Sequence, residues 1–291
     1  MPMQDSEESD IQAPREVQME LGELMCLTGD YSKAEELCQW EEEIVSQQVR
    51  KRKKQWDDDI KRCNKVLADS NMTLIHEIYS PKRVNGLCQK MGLVPGLSLD
   101  LTTSDYDGRP WDFNDPVMRH RAEALVRKKR ALLIVGSPMC TAFSQLQHIN
   151  FSKMTPENVR QVKEYGTRHL NFCLHLYRLQ MANGLYFLHE HPLGASSWKL
   201  PQVQELLAKP GVSKVNSDMC EFGMELEDHL GKAPVRKPTT YMGNCPEVLK
   251  RLAKRCQGGH RHVILIGGKA RKAQVYPEGL CLEIIRGAMD Q

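Results

Sequence analysis

The apolar positions of this chain recur with two different periods, and the change from one to the other divides it. Residues 1–20 are polar and acidic with little to bury, the composition of a disordered tail. Ser32-Lys33-Ala34-Glu35 then reads as a helix-capping box. Leu37, Ile44, Val49, Trp56, Ile60, Cys63 and Leu67 follow at roughly helical spacing, with no Pro or Gly between 32 and 69. The pattern predicts a helical extension over 21–71, as one long helix or two. Its single apolar stripe packs on the rest of the chain or on a partner, self-association included.

Past residue 72, short apolar runs alternate with helical patterns. TLIHEIYS (73–80), GLSLDL (96–101), ALLIVGSP (131–138), GLYFLHEHP (184–192) and HVILIG (262–267) read as strands, several of them stopped by Pro. Helices are predicted at 85–92, 116–130, 156–182, 201–209 and 277–289, and KVNSDMCEFGM and PTTYMGN bracket a loop. Strands alternating with helices predict an α/β domain over 72–291, a Rossmann-like parallel sheet flanked by helices. Such a sheet binds ligands at the carboxyl ends of its strands.

Composition narrows the class. A chain of 291 residues with 41% hydrophobic and 26% charged positions is neither collagen-like nor wholly disordered. It has no run of about 18 apolar residues, and its acidic start is no secretory signal, so the expectation is an intracellular protein of nucleus or cytoplasm without a membrane partner. The net charge of +3 demands no nucleic acid. The basic blocks at 50–54 and 127–130 read as solvated helix faces, with phosphate binding as the sharper alternative. Ten cysteines without a Cys-x-x-Cys pair read as reduced thiols.

The chemistry gathers after the strands. Tyr79-Ser80-Pro81, Asp100, Ser137-Pro138-Met139-Cys140-Thr141 and His189-Glu190-His191-Pro192 place a thiol, carboxylates and two imidazoles along one edge. A cysteine with a separate acid and no hydride-carrying motif points to covalent group transfer. The blander alternative is that polar strand ends are common and free cysteine is often a buried hydrophobe.

Four motifs in order carry a resemblance. IVGSPMCTAFS looks like the nucleophile loop of cytosine-5 DNA methyltransferases, and FLHEHP like their strand ending in the catalytic Glu. DMCEFGM with VRKPTTYMGN is similar to the phage-type pattern of Cys-x-Tyr-Gly, then Arg-Lys-Pro-Thr. VYPEGLCLEII resembles their terminal helix. The match covers roughly 73–289, and similar blocks occur inside polyproteins of mobile elements. The resemblance implies a methyltransferase fold using S-adenosylmethionine on DNA or RNA, single-stranded or weakly specific. Cys140 would attack C6 of a cytosine, Glu190 would hold and protonate N3, and Arg236 or Lys237 would contact substrate beside the pocket. Tyr79, Ser80, Asp100, Asp112, Phe113, Ser137 and Pro138 would line the cofactor, with Asp100 on the ribose and Trp111-Asp112-Phe113 around the adenine. Where the family has a Gly-rich first loop, this chain reads Tyr79-Ser80-Pro81-Lys82-Arg83. The second reading is therefore a catalytically eroded fold that binds nucleic acid or protein.

Two metal readings are weighed. Cys245, Cys256, His260 and His262, with Cys220 as a further ligand, would make a Cys2His2 set, but the spacings match no zinc finger. One residue between the histidines also makes them awkward co-ligands. His189 and His191 flank Glu190, yet on a strand they share the face opposite to it. No metal is assigned, and GGKARK (267–272) lacks the order of a phosphate loop.

Overall fold

The computed structural model describes residues 31–266 and 268–291. The expected acidic tail lies outside the described residues, as does the start of the helical extension. Two compact units are distinguished, the first ending at Cys63 and the second running from Asn64 to Gln291. Helix α1 (Tyr31–Asp69) is a single element, one of the two arrangements that the uninterrupted 32–69 pattern allows. Its residues from Asn64 onward belong to the second unit, where the Asn64 amide donates to the Gly92 carbonyl at 2.8 Å and accepts from Val94 N–H at 3.1 Å. The boundary between the units falls at 63/64.

The second unit is built on a six-stranded sheet. Along the chain come β1 (Met72–Ile78), α2 (Val84–Lys90), β2 (Ser98–Leu99), α3 (Pro116–Lys128), β3 (Arg130–Gly136), α4 (Gln145–Phe151), α5 (Pro156–Ala182), β4 (Tyr186–Pro192), α6 (Pro201–Leu207) and β5 (Ser213–Ser217). The hairpin β6 (Glu225–Asp228) and β7 (Gly231–Pro234) follows, then β8 (Thr239–Gly243), α7 (Pro246–Leu252), α8 (Lys269–Lys272) and α9 (Glu278–Asp290). The strand order is β2-β1-β3-β4-β8-β5, parallel from β2 to β4, with β8 antiparallel to both of its neighbours. Strands β1, β3 and β4 are buried almost throughout, the mark of a sheet covered on both faces. Helices α3, α5 and α6 contribute to the core cluster on one face, including Met118, Leu170, Tyr177 and Leu206 around Ile134 and Phe187. Helix α9 packs against both α2 and α7 and also lies against β1.

The helix starts follow capping rules. Asp115 accepts from Val117 N–H before Pro116, and Thr155 accepts from Asn158 N–H before Pro156. From β1 the chain moves outward to β2, then crosses back to β3 and β4. The order therefore reverses between β1 and β3, and a doubly wound sheet opens its ligand crevice at that place, outside the carboxyl ends.

Two expectations are corrected. Residues 262–266 form no strand: Val263 is buried and its N–H donates to the Pro234 carbonyl at the end of β7, but Ile264 and Ile266 are largely exposed and the segment is not a strand of either sheet. The segment KVNSD is not loop but the edge strand β5, whose one-sided burial gives it little apolar signature. The segment PTTYMG, beyond the bracketed loop, forms the reversed strand β8 at the centre of that half of the sheet, which departs from no expectation.

A candidate active site at the carboxyl edge of the sheet

Gly136 ends β3 and sits beside Ile78 of β1 and His189 of β4 in register. A Cβ at Gly136 would overlap the Tyr177 hydroxyl, so only glycine lets the strand end here. The chain then runs through Ser137-Pro138-Met139 to Cys140, which is half-buried and caps a short 3-10 turn, Thr141–Phe143. Glu190 lies two-thirds of the way along β4, opposite Tyr241 of β8. Lys237 precedes β8 in the left-handed region, at φ 30°.

These three groups converge. Burial pushes the Cys140 thiol up from its ordinary value, the Glu190 carboxylate adds to that rise, and the Lys237 ammonium opposes it. The ends of adjacent parallel strands β3 and β4 thus place a thiol within the electrostatic reach of a carboxylate far from it in sequence. Of the two basic residues, Lys237 is the one whose charge reaches Cys140. Arg236 is exposed and turns instead to Asp218, Nε to Oδ1 at 3.3 Å. Glu190 is 8% exposed and accepts no hydrogen bond among the described residues, although the buried Tyr241 and Tyr276 phenols both feel its charge.

The Cys140 loop is held from two sides. His191 is fully buried, its Nε2–H donating to the Pro138 carbonyl at 3.1 Å and its Nδ1 accepting from the Ser197 hydroxyl at 2.7 Å. Burial pushes His191 down to about 4, which keeps the ring neutral and this tautomer in place. On the other side, Ser137 Oγ and Tyr276 Oη are 2.5 Å apart. His189 faces the same side as His191, as the strand period predicts, and its Nδ1 meets the Tyr177 hydroxyl at 3.1 Å.

The loop after β1 is organised differently. The buried Glu77 carboxylate accepts from Ser80 Oγ at 3.1 Å, Ser98 Oγ at 3.0 Å, and the backbone N–H groups of Arg83, Val84 and Asn85 at 3.3, 3.0 and 2.9 Å. Those amides open α2, so an internal carboxylate caps that helix. Tyr79 sits at φ 62°, a conformation that costs a side-chain-bearing residue about 1–2 kcal/mol. Its hydroxyl donates to His169 Nδ1 at 2.8 Å, and His169 Nε2 reaches Asn114 Oδ1 at 3.0 Å, which locks it.

The remaining expected cofactor residues are scattered along the edge. Asp100 Oδ1 accepts from the Thr102 amide and hydroxyl, and Asp112 Oδ1 from Asn114. Phe113 and Trp111 are 2% and 3% exposed, and Phe113 packs between Tyr79 and Phe172 with ring centroids 4.8 and 5.0 Å away. Pro138 is buried in the Cys140 loop. An open groove beside the loop is lined by Met139, Thr141, Ala142, Gln161, Val162 and Tyr165. Sequence reasoning passed over Glu77, Tyr241 and Tyr276. The signal for Glu77 was present, as a carboxylate inside an otherwise apolar strand that faces burial. The two tyrosines carry no such signal, because their roles come from cross-sheet neighbours.

The zinc-type candidates separate as well. Cys245 is buried with its thiol on the Phe187 carbonyl, whereas Cys220, Cys256, His260 and His262 gather with all four ligand atoms within 4.8 Å of one another. Among the described residues no helix is long and apolar enough to cross a membrane. No protein-family model matches the chain, and no curated protein matches it.

Proposed function

We propose that this chain carries a nucleobase pocket of the cytosine-5 methyltransferase type, taking a cytosine out of single-stranded or loosely stacked DNA or RNA. The observation that carries the reading is that Cys140, in the loop after β3, feels both Glu190 of the neighbouring strand β4 and Lys237, just before β8. The Cys140 sulfur would bond to C6, the C5=C6 electron pair would move into the ring, and N3 would take a proton from Glu190. Cys140 rests as a thiol. Passing its proton to Glu190, and from there to N3, lets sulfur add without leaving net charge in a buried place. Lys237 favours the thiolate at the moment it forms. Extruding the base costs a few kcal/mol in a duplex and less in a single strand.

S-adenosylmethionine, the methyl donor that the resemblance implies, fits only in part. Asp100 engages Oδ1 with Thr102 and leaves Oδ2 to a ribose hydroxyl. The amino-acid end would need the opening amides of α2, but Arg83, Val84 and Asn85 donate to Glu77, and Pro81 has no N–H. That end does not fit, and no methyl-transfer step is derived. This observation favours the second reading, an eroded methyltransferase fold that captures a base as a nucleic-acid-binding module of mobile-element type.

Reversible addition at C6 makes C5 exchange its hydrogen with solvent, which needs no cofactor. Cytosine-containing single-stranded DNA and RNA oligonucleotides incubated in deuterated water should gain deuterium at C5, read by mass spectrometry. Cys140→Ser should lower the rate about 100-fold or more. Folded protein that exchanges neither polymer would sink the base pocket. Tight calorimetric binding of S-adenosylmethionine with methyl appearing at C5 would instead overturn the eroded reading.

A further inference from the structure

We infer that Cys220, Cys256, His260 and His262 form a structural zinc site, independent of the base pocket. The geometry is that of a coordination tetrahedron. With Zn–S near 2.3 Å and Zn–N near 2.0–2.1 Å, tetrahedral angles set S···N edges of about 3.6 Å and an N···N edge of about 3.3 Å. Cys256 Sγ lies 3.5 Å from His260 Nε2 and 3.6 Å from His262 Nε2, and the two Nε2 atoms are 3.0 Å apart. Cys220 Sγ, 4.0 Å from Glu221 Oε1, completes a set whose four ligand atoms lie within 4.8 Å of one another. Both cysteines are free thiols.

The local sequence builds this set. Gly258 and Gly259 take φ 87° and 83°, so the chain turns back between Cys256 and His260. The Gly258 N–H points at Cys256 Sγ, at 3.4 Å, and supports a thiolate there. The histidines at i and i+2 share one side, their Nε2 atoms 3.0 Å apart. Arg261 points away to Asp228, at 2.7 Å. The single-residue spacing that looks awkward in the sequence is therefore what aligns them. The Asp218 side chain, fully buried, ties the two halves together: it precedes the Cys220 turn and accepts from Cys256 N–H at 3.0 Å, Arg255 Nε at 2.9 Å and Arg236 Nε at 3.3 Å. Four protein ligands close the coordination sphere, which makes the role structural rather than catalytic. The metal would fix residues 253–266, which contain no helix or strand, beside the segment that carries Arg236 and Lys237.

The test is metal analysis of the purified full chain. Expected are stoichiometric zinc retained through dialysis and, after exchange for cobalt, the visible ligand-field and thiolate charge-transfer bands of a tetrahedral two-thiolate site. Cys256→Ser and His262→Ala should lose metal, while Cys245→Ser keeps it. Wild-type protein that is folded yet holds no zinc and gives no such cobalt spectrum would overturn the site. So would a Cys220–Cys256 disulfide in protein isolated under reducing conditions, or metal lost from Cys245→Ser and kept in Cys256→Ser. Should the variants fail to fold, the wild-type cobalt spectrum decides by itself.

Discussion

The loops leaving β1 and β3 start from adjacent parallel strands at the same edge of the sheet, yet they treat their polar groups in opposite ways. After β1, the Glu77 carboxylate collects five donors, three of them the opening amides of α2, and the Tyr79 hydroxyl is held by His169. After β3, the backbone is fixed by His191 and the hydroxyl of Ser137 by Tyr276, but the Cys140 thiol feels the Glu190 charge, and no side-chain donor among the described residues engages the Glu190 carboxylate. A carboxylate whose donors are all internal is a structural element. A carboxylate beside a thiol and an ammonium, at the mouth of a crevice, has its partners still to come. Burial alone does not separate the two cases, since both carboxylates are buried.

The sharpest way to break this contrast is to remove each carboxylate. Glu77→Ala strands several buried amides and should cost about 3–5 kcal/mol in urea unfolding. Glu190→Gln should change stability by no more than about 1 kcal/mol, because little holds that carboxylate in the folded chain. Equal costs for the two would erase the distinction between the loops.

Acid provides the next largest effect. Burial pushes His76 and His191 down to about 4 and His189 further, whereas the unfolded chain titrates near the ordinary imidazole value of 6.5. The unfolded state therefore binds more protons between those values. Stability is fully present above about pH 6.5 and falls as the pH drops toward 4. The thermal midpoint should decline steeply across that window, and His191→Gln should make the decline shallower. A flat profile would show that neither loop depends on its neutral imidazole.

A smaller and more local effect distinguishes the charges around the thiol. Alkylation of Cys140 at mildly alkaline pH should slow several-fold in Lys237→Met and quicken in Glu190→Gln, since the ammonium lowers and the carboxylate raises that thiol. Identical rates in both variants would mean that the three groups do not share one environment.

Much of the framework is legible from residue pattern. The helix at 156–182 and the strand ends at Gly136 and Pro192 follow from capping residues, Pro and Gly, all of them local signals. The cysteine and glutamate of the candidate site are legible because they sit where apolar runs stop, on strands that pair. What escapes is whatever depends on pairing across distance. Strand β5 has a single buried face and reads as loop, and the apolar run at 262–266 reads as strand because its sequence does not reveal that it joins neither sheet. The choice between Arg236 and Lys237, and between Cys220 and Cys245, rests on which way a loop turns, which spacing does not encode.

The reversed strand β8 also has a consequence for how the chain is assembled in time. Strand β5 pairs only with β8, and β8 lies between β5 and β4. During synthesis β4 and β5 are complete well before residue 243 emerges, so neither can close that side of the sheet until the later segment threads between them. Until then β4 presents an unpaired, buried-type edge, the kind of surface that recruits other chains. Any ribosome pause before Thr239 would lengthen that exposure, and the Lys237 that completes the candidate site arrives only in the same late step.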